Sequence, residues 1–303
     1  MNLGTLFNFS TLITTINTAT IVVLAGLGCL MTEQSGMMNI GIDGLMVVGA
    51  FAAVMASWAC GSWVLGVLFA LLVCMFFGFL YGVFVVRLRS DEFIIGVGFN
   101  IFAVAVTTFL LRLFPGQSGS FHPATGVIDK IPAIALSLGG GMQVTMSLLV
   151  PLSWVLVALS WVMIYRTPFG YWLHASGESP DALRAVGRSP DRMKYFASVA
   201  CGFFCGLSGA YMSLGYLSTF SENMSDSRGY VAVACVIFGR ANPLLVFAAA
   251  LLFGFIDALG LWLQDVINPT LTATFPYIGT ILMMVLLVVH NKRKKMRAAA
   301  KQA

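Results

Sequence analysis

Charged residues lying within apolar surroundings are the first place to look for chemistry in this chain. Glu33, Asp43 and Asp257 are the acids inside or at the edge of long apolar runs. A carboxylate so placed can relay protons or hold an ion. Asp43 also follows Asn39 by one helical turn, a pair suited to capping or bridging backbone groups at a helix break. The same residues fit a tight packing seam with an interfacial cap equally well. Other familiar chemistry is missing. There is no GxxxxGK[ST] and no Gly-Lys pair, hence no phosphate-cradling loop. His122, His174 and His290 are far apart, without metal-ligand spacing. No Gly-x-Ser-x-Gly elbow occurs. Neither a catalytic residue, a metal nor a cofactor is expected.

What must position these residues is a scaffold within a membrane. The chain is 59% hydrophobic and 10% charged. Apolar runs recur over 10–31, 38–58, 62–86, 93–114, 146–165, 196–217, 230–240, 243–264 and 277–291. About 20 apolar residues make a helix that crosses a ~30 Å hydrocarbon core. The expected fold is therefore all-α, a polytopic transmembrane bundle of roughly eight to ten spans, forming one domain over 1–303. The opening MNLGTLFNFSTLITT lacks a basic n-region and a small-residue cleavage site, so no cleavable leader is expected. The six cysteines lie in apolar runs and form no CxxC, which fits small packing residues and not a disulfide framework.

Lys and Arg favour cytoplasmic loops. With the 87–92 turn, the 166–195 loop, the turn at 240 and the C-terminal tail on that side, fourteen of the seventeen basic residues are cytoplasmic. This places the N-terminus outside and the 292–303 tail inside, where it suits anionic headgroups and not nucleic acid. The run 230–240 has eleven residues, too few for a straight span. It is either a half-helix lining a watery vestibule or the middle of one tilted helix over 225–242. The outer connection 115–145 is too long for a simple turn.

The 166–195 loop holds two Ser-Pro-Asp triplets, at Ser179 and Ser189. Serine caps orphan amides, proline needs no donor in the first turn, and aspartate meets the positive end of the dipole. A short helix is expected from Pro180 to Val186, stopped by Gly187. Ala182, Leu183, Ala185 and Val186 cluster on it. Too short to stand alone, it either offers an apolar face to a soluble partner, lies along the membrane interface or tucks under its own bundle.

The run Gly177-Glu178-x-Pro180-x-Ala182-x-x-Ala185-Val186-Gly187 resembles the cytoplasmic coupling motif of ATP-binding-cassette (ABC) permeases of the branched-chain amino acid/ribose-type family. Residues 33–51, EQSGMMNIGIDGLMVVGAF, are similar to that family's signature near the second span, through Glu33, Gly36, Asn39, Ile40, Gly41, Gly44, Met46, Gly49, Ala50 and Phe51. Asp43 stands where glutamate is commoner. The segment Glu222-Asn223-Met224-Ser225…Arg228-Gly229, followed by Phe238-Gly239-Arg240-x-Asn242-Pro243, resembles the nucleoside-transporting branch. The resemblance implies a non-enzymatic importer subunit working with a cytoplasmic ABC ATPase, a second paralogous permease and an extracytoplasmic solute-binding lipoprotein. It further implies that the 177–187 motif docks on the ATPase.

Cargo contacts are less defined. A neutral solute needs hydroxyls, amides and stacking faces, which Thr14, Thr15, Asn17, Thr18 and Asn100 could supply; these also bond neighbouring helices or their own backbone. Asp257 is a further candidate on the path. Glu222, Asn223, Ser225 and Arg228 form an outer turn where a binding protein could land. Branched-chain amino acids or a pentose remain open as cargo of the same importer class, and a proton-coupled carrier using Asp43 and Asp257 is the alternative from a different class. Gly78-x-x-x-Gly82 and Gly202-x-x-x-Gly206 read as packing seams.

Overall fold

Helices account for nearly all of the computed structural model, which describes residues 9–114, 119–121, 128–138 and 142–263. In chain order they are α1 (Phe9–Gln34), α2 (Ile42–Cys60), α3 (Trp63–Gly82), α4 (Glu92–Arg112), α5 (Leu149–Arg166), α6 (Pro168–Glu178), α7 (Pro180–Ala185), α8 (Pro190–Ala210), α9 (Arg228–Phe238) and α10 (Pro243–Leu263). Short π-helical stretches, Val83–Arg87 and Tyr211–Tyr216, prolong α3 and α8. A hairpin of β1 (Ala133–Leu138) and β2 (Met142–Ser147), in antiparallel register Ala133 to Ser147, occupies part of the long connection between α4 and α5. With an isolated antiparallel bridge between Ser120 and Ser221, it is the departure from an all-α fold among the described residues.

Seven described helices are long and apolar enough to cross a bilayer. They match seven expected runs, with two shifts. α1 continues to Gln34, and α2 starts only at Ile42 because residues 37–40 are non-helical. The single tilted helix over 225–242 does not form. α9 is bounded by left-handed Ser227 on one side and by left-handed Arg240 and Ala241 on the other. The run 277–291 and the basic tail lie outside the described residues.

The described chain divides into two compact units. In the larger, residues 20–250, α2 and α8 are mostly buried, while α3, α4 and α5 turn Leu72, Phe76, Ile101, Phe109 and Leu159 outward. That surface suits lipid or another membrane subunit, not water. The two small-residue motifs form one seam, as expected. A methyl on Gly202 would overlap the Cys74 carbonyl, and one on Gly78 the Ser198 carbonyl. In the other unit, residues 1–19 with 251–303, α1 and α10 touch at Gly254, where an added Cβ would lie 2.6 Å from that of Ala19. Thr18 Oγ1 donates there to the Gly254 carbonyl at 3.1 Å.

Candidate functional site

Between α1 and α2 the backbone leaves helical geometry inside an apolar protein, so its amides and carbonyls need partners. Side chains supply them. Asn39 Oδ1 accepts from the Gly41 amide at 2.8 Å. Tyr81 Oη donates to the Met38 carbonyl at 3.2 Å. Asn100 bridges the break, with Nδ2 donating to the Ile40 carbonyl at 2.9 Å and Oδ1 accepting from the Gly44 amide at 2.7 Å. The same Nδ2 donates to Tyr230 Oη at 2.9 Å. Gly41 and Gly44 lie against Gly96 and Asn100 of α4, and Gly49 against Gly206 of α8.

Asp43 reaches across to α9. Its Oδ1 accepts from the Gly229 amide at 3.0 Å and its Oδ2 from Ser225 Oγ at 2.9 Å. A carboxylate from α2 thus caps the N-terminus of α9. Only glycine fits at 229, since a Cβ there would sit 2.5 Å from Asp43 Cα. Ser225, expected on the outer turn, is fully buried in this contact and presents nothing outward. Of its neighbours, Asn223 is exposed, Arg228 is half-buried, and Glu222 pairs with Arg112 at 3.4 Å.

The segment expected to couple to the ATPase is built from α6, α7 and the turn that follows. Neither Ser179 nor Ser189 uses its hydroxyl as a cap, although proline does occupy the first turn of both helices. Gly187 is left-handed (φ 76°) and closes α7, its amide donating to the Arg184 carbonyl at 2.9 Å. Leu183 does not join an outward apolar face. It is buried and anchors α7, leaving Ala182, Ala185 and Val186 exposed. Asp181 pairs with Arg184 at 2.8 Å, and the Arg188 guanidinium lies 4.0 Å from the centre of the Trp172 ring.

The two motifs meet. Gly36 (φ 74°) and Gly177 stand backbone to backbone, and a Cβ on Gly177 would come within 2.7 Å of the Gly36 amide nitrogen. Beside them Gln34 joins three elements. Its Nε2 donates to the Ala241 carbonyl at 2.7 Å, after α9, and its Oε1 faces His174 Nδ1 of α6 at 3.0 Å. His174 Nε2 lies 3.3 Å from Glu178 Oε1. Sequence reasoning missed Gln34, His174 and Tyr230, because no periodicity or spacing marks partners 130 to 207 residues away. The glycine at 36 was the available signal. Glu33 lines a crevice with this cluster. Asn17 and Asp257 lie half-buried in the unit of residues 1–19 and 251–303.

Residues 11–290 match the family described as the permease component of branched-chain amino acid transport systems. The chain belongs to this family. It is 27% identical over 300 residues to a putative glucose ABC transporter permease of Haloferax volcanii, covering 92% of this chain and 91% of that one. It is 27% identical over 282 residues to a guanosine ABC transporter permease of Bacillus subtilis, covering 86% of each. A nucleoside ABC transporter permease of Lactococcus lactis is 27% identical over 292 residues, with 88% and 89% covered. No solved structure matches. The permease is therefore a transport subunit of an ABC importer and not a catalytic enzyme, a multi-pass protein of the inner membrane. That sets the proton-coupled carrier aside.

Proposed function

We propose that this permease forms half of a nucleoside importer, paired with a second permease, fed by an extracytoplasmic lipoprotein and driven by a cytoplasmic ATPase that grips α6, α7 and the Gly187 turn. The N-terminus lies outside and the basic tail in the cytoplasm, an orientation supported by the placement of lysine and arginine. The Gln34 joint carries the coupling proposal. Force applied to α6 reaches the end of α1 through Gly177 on Gly36, and the foot of α9 through Gln34. α9 in turn ends on Asp43. At about 1.5 Å per residue its eleven residues rise roughly 16 Å, half of a ~30 Å core, so a movement at the loop arrives near mid-membrane.

The nucleoside assignment is supported by two relatives whose names carry guanosine or nucleoside transport. It is supported also by the spent state of the local charge. Asp43 is occupied by Ser225 and Gly229, leaving little to balance a zwitterionic amino acid. Glucose is the second candidate, favoured by the haloarchaeal relative. The test is uptake by proteoliposomes holding the permease with its ATPase, second permease and lipoprotein. ATP-dependent accumulation of labelled guanosine, competed by other nucleosides and not by glucose or leucine, is expected. Accumulation of glucose or leucine alone would refute the nucleoside assignment.

A further inference from the structure

α9 carries an uncovered stripe at a depth where the surrounding backbone is broken. Tyr230 and Ile237 are 43% and 55% exposed and Ala234 is half-buried, whereas Ala232, Val233, Cys235 and Val236 are buried. Spaced four and three residues apart, Tyr230, Ala234 and Ile237 share one helical face. The upper end of that face is the Tyr230 ring, its hydroxyl fixed by Asn100. The lower end, Ile237, lines a crevice of about 610 Å³ whose walls include Glu33, Gln34, His174, Glu178 and Arg240.

Hydrocarbon does not suit this surface. Asp226, four residues before Tyr230, is exposed, and the turn that carries it has left-handed backbone at Asn223, Asp226 and Ser227. An exposed carboxylate and left-handed backbone at the head of the stripe suit water or protein, not lipid tails. The wall of the crevice below mixes Ile164, Tyr165, Tyr171 and Val236 with two carboxylates, an imidazole and a guanidinium, ionisable groups that hydrocarbon does not solvate. The polar groups beside Tyr230 are spent: Asp43, Ser225 and the Asn100 amide all bond within the protein. What remains to meet a solute is the ring.

We propose that the Tyr230–Ala234–Ile237 face of α9 is the inner half of the solute route, leading into the crevice beside the coupling segment, with the Tyr230 ring stacking on a planar, uncharged solute. The solute class rests on the nucleoside reading above; the route does not. An aromatic face holds any base by stacking, without demanding one pattern of donors. This suits a conduit that must release what it touches.

The test uses the assembled importer in membranes with the coupling-loop side facing the medium. Cys60, the exposed native cysteine among the six, is changed to serine; the other five are buried. Single cysteines are then probed with a membrane-impermeant methanethiosulfonate. Ala234→Cys and Ile237→Cys should label and should be slowed several-fold by the transported solute, while Leu72→Cys and Phe109→Cys stay unlabelled. Ala234→Cys and Ile237→Cys as inert as Leu72→Cys would overturn the route, whatever the cargo. For the ring, Tyr230→Phe should keep guanosine uptake within two- to threefold, and Tyr230→Ala should lower turnover at least tenfold with the complex intact. Full-rate uptake by Tyr230→Ala, or loss of permease pairing, overturns the contact. Wild-type transport of glucose without guanosine would sink the nucleoside reading and leave the labelling result to decide the route.

Discussion

Asp43 separates a structural carboxylate from a working one, and two substitutions decide between them. In Asp43→Ala the Gly229 amide and the Ser225 hydroxyl lose their acceptors. A hydrogen bond to a charged group contributes about 1.5–3 kcal/mol, so two such losses cost roughly 3–5 kcal/mol after partial relaxation. Asp43→Asn behaves differently. Its Oδ1 can still accept from Gly229, and its Nδ2 can donate to a Ser225 hydroxyl that rotates to accept. Both bonds survive as neutral ones, at a cost of roughly 1–2 kcal/mol. The expected order of thermal unfolding midpoints for the purified permease complex is wild type, then Asn slightly lower, then Ala lower by many degrees. Uptake should follow the same order, with Asn retaining most of it. An Asn variant that folds as well as wild type yet transports nothing would refute the capping role and hand Asp43 a direct part in moving protons or solute. An Ala variant as stable as wild type would refute it from the other side.

Gly177→Ala forces a Cβ to within 2.7–2.9 Å of Gly36 backbone, which cannot swing aside as a side chain would. ATP hydrolysis stimulated by the loaded lipoprotein should fall several-fold, read as phosphate release. Gln34→Ala leaves the Ala241 carbonyl and His174 without their partner. At about 1–3 kcal/mol per orphaned group, the complex should still hydrolyse ATP but import fewer molecules per ATP. Gly202→Leu puts a branched side chain where not even a methyl fits against Cys74, and the permease should fail to accumulate in membranes. Arg112→Ala removes only an exposed ion pair with Glu222. Such pairs contribute about 0–1 kcal/mol, so uptake should match wild type, and a large loss would point to a receptor contact at Arg112.

Spans, seams and the α7 stop were legible because each is written locally. Hydropathy marks a membrane helix, Pro-Asp after serine marks a helix start, and Gly187 marks its end. The hydroxyl caps expected of Ser179 and Ser189 do not form: neither bonds an amide of the helix it precedes, although proline opens both helices as the triplets indicate. Whether Leu183 faced a partner or its own bundle stayed open, because a six-residue helix has too little pattern to reveal which face its neighbours cover; in the structure it is buried. Ser225 looked like part of a solvated turn for a related reason: its partner, Asp43, lies 182 residues earlier. The site is made of such remote pairs, and composition near each partner says nothing about the other. The hairpin of β1 and β2 was hidden inside an outer connection whose length alone could be judged.

The carboxamide of Gln34 has a direction, and that has a chemical consequence. Facing a carbonyl at Ala241, its nitrogen can only donate, so its oxygen must accept and His174 must carry hydrogen on Nδ1. That hydrogen is present in the imidazolium and in one neutral tautomer alike, and the amide itself does not ionise. The clasp thus commits one ring nitrogen to the carboxamide and leaves the other, Nε2, to face Glu178 Oε1 at 3.3 Å. The linkage proposed to carry load is thereby held in one sense, since turning the amide over would set oxygen against the Ala241 carbonyl and nitrogen against the Nδ1 hydrogen.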